Sequence, residues 1–256
     1  MKLENIIKEG CVLQSSGTTG EPKSIFQPPN KLKLANEVAR EVQKIDSKSK
    51  ILTVCTLKHA GGLLAQTLPG YEVDAEIEIE QFNPFLWVRK IKDFTHSHLT
   101  PDMARAIMKT KSFKDLNLEG KIIACGSDRV HSSIIQSFID KGSTFIVNWG
   151  MTEVGPVAIN KTFVPDMEVE TTETIMGNMA YCDTKIVDGE LYVKGDICVY
   201  DDWFATGDIV RKEDNDFYYD GDTVVHVDGG PSKWDSYDLY TEEIKELLDV
   251  EDNINF

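Results

Sequence analysis

Apolar positions in the first half of the chain alternate between two periods. Leu32, Leu34, Ala35, Val38, Ala39, Val42 and Ile45 recur at helical spacing and predict an amphipathic helix. Residues 51–56 form a short apolar run of the kind a buried strand requires. Pro84 then opens a helix carrying Phe85, Val88 and Ile91, with proline in a first-turn position that it tolerates. A strand over 95–100, a helix from Pro101 through Lys109, a strand over 121–125, a helix over 131–140 and a strand over 144–148 come next. This alternation predicts an α/β fold with a mostly parallel sheet flanked by helices.

The pattern changes after about Asn160, where short strands are punctuated by turns. Segments 182–187, 190–194 and 217–219 read as strands, the first two joined by an Asp188-Gly189 turn. They predict a small β-rich subdomain. From Thr241 the tail reads as one helix, with Thr241 as N-cap and Glu242 and Glu243 favourably placed in the first turn. A short C-terminal stub is therefore expected after the β-rich part.

Composition narrows the function classes. Hydrophobic residues at 41% and charged residues at 27% are ordinary for a globular chain of 256 residues. No apolar run approaches the roughly 18 residues of a membrane span, and Met1-Lys2-Leu3-Glu4-Asn5 lacks an apolar export signal. A net charge of −16 repels phosphate backbones and no basic patch compensates, so nucleic acid is not an expected partner. Cys11, Cys55, Cys125, Cys182 and Cys198 include no C-x-x-C pair, and most lie in apolar runs. Reduced, buried thiols in a cytoplasmic setting are expected rather than a disulfide framework or zinc knuckle.

The candidate chemistry begins at Ser15-Ser16-Gly17-Thr18-Thr19-Gly20-Glu21-Pro22-Lys23. Glycines let a backbone approach phosphate and expose its N–H groups, hydroxyls donate further hydrogen bonds, and Lys23 adds charge. Each hydrogen bond to a charged partner contributes about 1.5–3 kcal/mol, so a few suffice for a micromolar site. The spacing does not fit G-x-x-x-x-G-K-[ST], because Gly17 and Gly20 are only three apart. Composition alone also fits a flexible turn.

The full string is more specific. It resembles the phosphate-loop signature of the adenylate-forming superfamily, which includes acyl-CoA synthetases, luciferases and peptide-synthetase adenylation domains. Three further segments are similar to that family's motifs, in its order. These are 148–155, reading Asn-Trp-Gly-Met-Thr-Glu-Val-Gly; 189–195, reading Gly-Glu-Leu-Tyr-Val-Lys-Gly; and 203–208, reading Trp-Phe-Ala-Thr-Gly-Asp. The resemblance covers approximately residues 11 to 250. It implies ATP and Mg²⁺ as cofactors, a small carboxylic acid as substrate, and CoA or another thiol as acceptor.

Site roles come from the same resemblance. Ser15, Ser16, Gly17, Thr18, Thr19, Gly20 and Lys23 would hold the phosphates. Thr152 would contact phosphate and Glu153 would hold Mg²⁺, a hard cation suited to carboxylate oxygen. Asn148, Trp149 and Gly150 would form the adenine side, with the Trp149 ring as a platform; a core tryptophan at a strand end is the plain alternative. Gly126, Ser127 and Asp128 match the adenine-side loop less tightly. Asp208, in a turn, would accept from both ribose hydroxyls, although turn-forming aspartates are common. His59, in 57–63, is similar to the gate of the acyl tunnel. His96 and His98 have strand spacing on one face and read as structural, since no third metal ligand accompanies them.

Departures from the family carry expectations too. The loop starts within fifteen residues of Met1, so the long N-terminal subdomain of other members is expected to be absent. Where the family carries Gly-Arg before its hinge, this chain has Gly221 and Asp222. The family's next Asp-Asp pair is expected to be missing, with 225–229 as the best continuation. Neither Lys233 nor Lys245 stands in the context of the family's catalytic lysine. The expected organisation is a nucleotide- and acyl-binding α/β domain over 1–160, a β-rich subdomain over 161–228, and the truncated start of a C-terminal domain over 229–256. Two functional readings result: acid activation through acyl-AMP, or a non-catalytic nucleotide or acyl-adenylate module, including one completed by a partner that supplies the lysine. An unpaired sheet edge adds self-association as a further expectation.

Overall fold

A computed structural model describes residues 3–14, 23–169 and 174–220. The first elements are α1 (Leu3–Glu9), the antiparallel pair β1 (Cys11–Gln14) and β2 (Ser24–Gln27), and α2 (Pro29–Gln43). β3 (Lys50–Thr53) leads into α3 (Ala60–Gly62), a π-helical turn (Leu63–Thr67) and α4 (Leu68–Tyr71). Next come β4 (Glu76–Ile79), α5 (Pro84–Lys90), β5 (His96–Leu99), α6 (Pro101–Met108), β6 (Ile122–Gly126), α7 (Ser132–Ile139) and β7 (Thr144–Met151). The remaining strands are β8 (Gly155–Phe163), β9 (Ile175–Gly177), β10 (Met179–Ala180), β11 (Asp183–Val187), β12 (Glu190–Lys194), β13 (Phe204–Glu213) and β14 (Asp216–Tyr219).

Local chemistry explains several boundaries. Pro28 and Pro29 start α2, and Lys44 ends it in the left-handed conformation, with a φ of 56°. Asn83 caps α5 by accepting from the amides of Phe85 and Leu86, and Thr100 caps α6 by accepting from Met103. Each such cap stabilises its helix by about 1 kcal/mol.

Among the described residues, seven strands form a sheet in the order β10-β8-β7-β6-β5-β3-β4. β4, β3, β5, β6 and β7 are parallel; β8 runs against them, and β10, antiparallel to β8, returns to their direction. The fold is the expected α/β type, a mostly parallel sheet flanked by helices. A second sheet, β11-β12-β13-β14-β9, is antiparallel throughout. The Asp188-Gly189 turn joins β11 to β12, and both of its residues take positive φ, as a tight hairpin turn requires.

The main core lies between the parallel sheet and α5, α6 and α7, where Trp87, Phe138 and Phe145 are fully buried. A second core joins the two sheets. Trp149, Val154 and Ile159 pack there with Leu191, Val193, Val210 and Phe217, closed by Leu34 and Val38 of α2. No described helix is long and apolar enough to cross a membrane. All five cysteines are free; Cys182 is half-buried and the other four are buried. The expected helix over 241–249, the 221–222 and 225–229 segments, and Lys233 and Lys245 lie outside the described residues, as do positions 15–22 of the glycine- and hydroxyl-rich loop.

Candidate active site

The chain runs β3, β4, then crosses back to place β5 on the other side of β3. Such a reversal opens a crevice beyond the carboxyl ends of the strands, where open α/β sheets bind ligands. His59 comes after β3, Gly126-Ser127-Asp128 closes β6, and Trp149 through Glu153 closes β7. Most of the candidates therefore emerge along one edge of one sheet.

Trp149 lies within β7 rather than after it, because that strand extends to Met151. The register of β7 against β8 slips between Trp149 and Met151. Gly150 sits at that irregularity, and a Cβ there would lie 2.1 Å from the carbonyl oxygen of Gly155. Only glycine permits this approach. The tight return places Thr152 and Glu153 in the turn between the strands.

Both turn residues are held through their backbones. The Gln27 side-chain amide donates to the Thr152 carbonyl at 2.6 Å, and the Val199 amide donates to the Glu153 carbonyl at 2.9 Å. The Glu153 side chain is buried and has no ion-pair partner among the described residues. One hard carboxylate suits a Mg²⁺ whose remaining ligands are substrate phosphates and water. The described residues contain no group of three or more His, Cys, Asp or Glu able to cage an ion.

Asp208 differs from its sequence reading. It lies inside β13, not in a free turn, at a point where the pairing with β12 slips between Glu190 and Tyr192. Gly207, at a φ of 79°, allows the kink, and the Glu190 carboxylate accepts its amide at 2.9 Å. The Thr206 hydroxyl accepts the Asp208 amide at 3.1 Å. The bulge re-aims the Asp208 side chain toward the other sheet, where the Trp149 indole N–H donates to Oδ2 at 2.8 Å. Burial raises the Asp208 carboxyl above its ordinary range, against the Trp149 hydrogen bond and the nearby Arg129 charge, which lower it.

The loop after β6 approaches the same place. Gly126 packs so closely on β7 that a Cβ would stand 2.3 Å from the Asn148 carbonyl oxygen. Asn148 donates its side-chain amide to the Pro156 carbonyl at 2.7 Å. Ser127 takes a φ of 72°, an uncommon conformation for a residue with a Cβ, and is exposed. The Asp128 side chain accepts the Arg129 amide at 2.7 Å. Arg129 then stacks over Tyr219 of β14, 4.9 Å from the ring centre. Burial together with Asp208 and Asp128 pushes the Tyr219 hydroxyl well up, so it remains a neutral donor.

The other candidates flank this cluster: His98 lies against Asn148, and Gly61, two residues after His59, lies against Ser127. His59 is exposed ahead of α3 and makes no side-chain cap hydrogen bond. Lys23 is exposed at the start of β2, and the six positions Ser15 to Gly20 lie outside the described residues. His96 and His98 are buried in β5, His96 bonded through Nε2 to the Gln43 carbonyl and His98 through Nδ1 to the Cys55 thiol. Sequence reading missed Arg129, Tyr219, Gln27 and Glu190. Arg129 directly succeeds the 126–128 segment and was legible as a cation beside it, and Glu190 lies within the 189–195 motif; the roles of Gln27 and Tyr219 carry no local signal.

Comparison with known proteins adds a family and several relatives. The family model described as AMP-binding enzyme matches residues 11–207. The indoleacetate–CoA ligase of Aromatoleum aromaticum is 23% identical, over 93% of this chain and 51% of its own length. The inhibitor-bound N-terminal domain of FACL13 from Mycobacterium tuberculosis superposes with a TM-score of 0.70 at 17% identity, over 83% of this chain and 60% of that one. McyG A-PCP complexed with phenylalanyl-adenylate gives a TM-score of 0.70 at 16% identity, over 82% and 46%. The chain spans about half the length of the ligase it matches.

Proposed function

This chain belongs to the AMP-binding enzyme family, and from that premise we propose that it activates a carboxylic acid with ATP as acyl-AMP and passes the acyl group to a thiol such as CoA. The observation that carries the reading is the meeting of Trp149 and Asp208 across two sheets, beside the turn that bears Thr152 and Glu153.

In this reading the acid's carboxylate oxygen attacks the α-phosphorus of ATP. An O–P bond forms, the α–β phosphoanhydride bond breaks, and pyrophosphate leaves. Ser15 to Gly20 and Lys23 hold the phosphates, Thr152 contacts the α-phosphate, and Asp208 accepts from the ribose. The Trp149 ring, with Asn148, Gly150 and Gly126 to Asp128, forms the adenine side, and His59 lines the approach of the acid. Glu153 would hold Mg²⁺ on the protein side, and the bound ion would supply charge neutralisation for the phosphates. Positioning and charge complementarity are the dominant contributions to such a transfer.

ATP–pyrophosphate exchange over a panel of aliphatic and aryl acids tests the proposal. Exchange stimulated by one class of acid, and abolished in Asp208→Ala, is expected. No exchange with any acid at high enzyme concentration sinks it for this chain. A second reading, a nucleotide or acyl-adenylate module without turnover, is favoured by Asp222, an anion where the family carries arginine. It predicts calorimetric binding of AMP with no exchange, or exchange restored by a partner that supplies a lysine.

A further inference from the structure

The contact between Trp149 and Asp208 has features that ring stacking alone does not need. Indole nitrogen is a donor only, so the 2.8 Å bond fixes Asp208 as the acceptor through Oδ2. Its partner strands arrive from different sheets, Trp149 on β7 and Asp208 on β13. The bulge at Gly207 and the Thr206 hydroxyl set the main chain of Asp208, which leaves its side-chain torsion as the remaining freedom. The indole N–H removes that freedom.

We propose that Trp149 is a positioning residue for nucleotide recognition, whose N–H holds one oxygen of Asp208 and leaves Oδ1 as the oxygen that meets the ribose. The inference rests on the assignment of Asp208 under Proposed function. It separates two roles of one side chain: the ring serves the base side of the site, while the ring edge orients the carboxylate. Orientation fixed before binding lowers the ordering cost at the moment of binding.

The surroundings make this bond consequential. Asp208 is half-buried, and it is faced by Arg129 from the loop after β6, Glu190 from β12 and Tyr219 from β14. Burial and Glu190 favour the protonated acid; the Trp149 N–H and Arg129 favour the carboxylate. Removing the N–H moves the balance toward the acid, so nucleotide affinity in the variant fails at a higher pH than in the wild type.

The test uses the full chain and two readouts. AMP affinity is measured by calorimetry from neutral to acidic pH in the wild type and in Trp149→Phe, which keeps an aromatic ring and removes the donor. The variant is expected to bind about tenfold more weakly at neutral pH, the loss of one hydrogen bond to a charged group, with its acidic limb displaced upward. A purely structural role lowers thermal stability without displacing that limb. The second readout needs neither nucleotide nor a foldable Trp149 variant. In ¹⁵N-labelled wild type, one indole N–H resonance titrates with an acidic midpoint, and Asp208→Asn abolishes that titration. An AMP profile unchanged in Trp149→Phe, or no indole resonance that responds to Asp208→Asn, overturns this inference alone. Wild-type protein that binds neither AMP nor ATP overturns the nucleotide assignment and the inference together.

Discussion

The side-chain amide of Gln27 reaches the main-chain carbonyl of Thr152 at 2.6 Å, across 125 residues of sequence. Gln27 ends β2, the strand next after the glycine- and hydroxyl-rich loop, and Thr152 begins the turn after β7. One hydrogen bond thus ties the exit of the early motif to the turn of the later one. Replacing Gln27 by Leu leaves that carbonyl without its donor and is expected to destabilise the fold by about 1–2 kcal/mol. Urea denaturation measures it, with AMP affinity falling in parallel. A stability loss with AMP affinity intact would show the tie to be structural only.

Gly150 is expected to resist substitution. The Cβ of an alanine would meet the Gly155 carbonyl oxygen at 2.1 Å and the Pro156 backbone carbon at 2.5 Å, and neither is a flexible side-chain end. Gly150→Ala should destabilise by about 3 kcal/mol or more, the upper range for forced overpacking. Thermal unfolding checks this; a melting temperature within error of wild type contradicts the geometry.

Gly61 offers a contrasting case. An added Cβ would stand 2.8 Å from the Ser127 hydroxyl and 3.4 Å from His98 Cε1, and the hydroxyl can rotate away. Gly61→Ala is therefore expected to fold, with a modest loss that Ser127→Ala restores in the double variant. A double-mutant cycle on thermal stability reads the coupling, expected at about 1 kcal/mol. Additive effects would mean that the two residues do not press on each other.

His98 gives a pH prediction. Burial lowers its imidazole from near 6.5 to about 4. The unfolded chain then binds a proton that the folded chain refuses between those values. The contribution is complete above about pH 6.5 and declines as pH falls toward 4, reaching about 3 kcal/mol in total. Urea midpoints at stepped pH should drop across that window, and less steeply in His98→Gln. Equal slopes in the two proteins would refute the assignment.

The sequence disclosed what periodicity controls. α2 announced itself through Leu32, Ala35 and Ala39, all buried, and β5, expected over 95–100, is buried at every position from His96 to Leu99. The helix starts at Pro84 and Pro101 were legible because their caps are local. What stayed hidden depends on pairing across the chain. β8 is a nine-residue strand that reverses from β7, and its first six residues, Asn160 included, are all buried, so no alternation marks them. Asp208 read as a turn because Thr206 and Gly207 favour turns, yet strand pairing with β12 turns the same residues into a bulge. The π-helical turn over Leu63–Thr67 likewise carries no signature separate from that of an α-helix.

The carboxylate of Glu190 holds the Gly207 amide, and Glu190 stands next to the Asp188-Gly189 tip at the edge of the small sheet. Evolution or a protein engineer thus has a remote dial. Changes to that solvent-facing hairpin, which no ligand needs to touch, shift the kink under Asp208 and so retune how the carboxylate is offered.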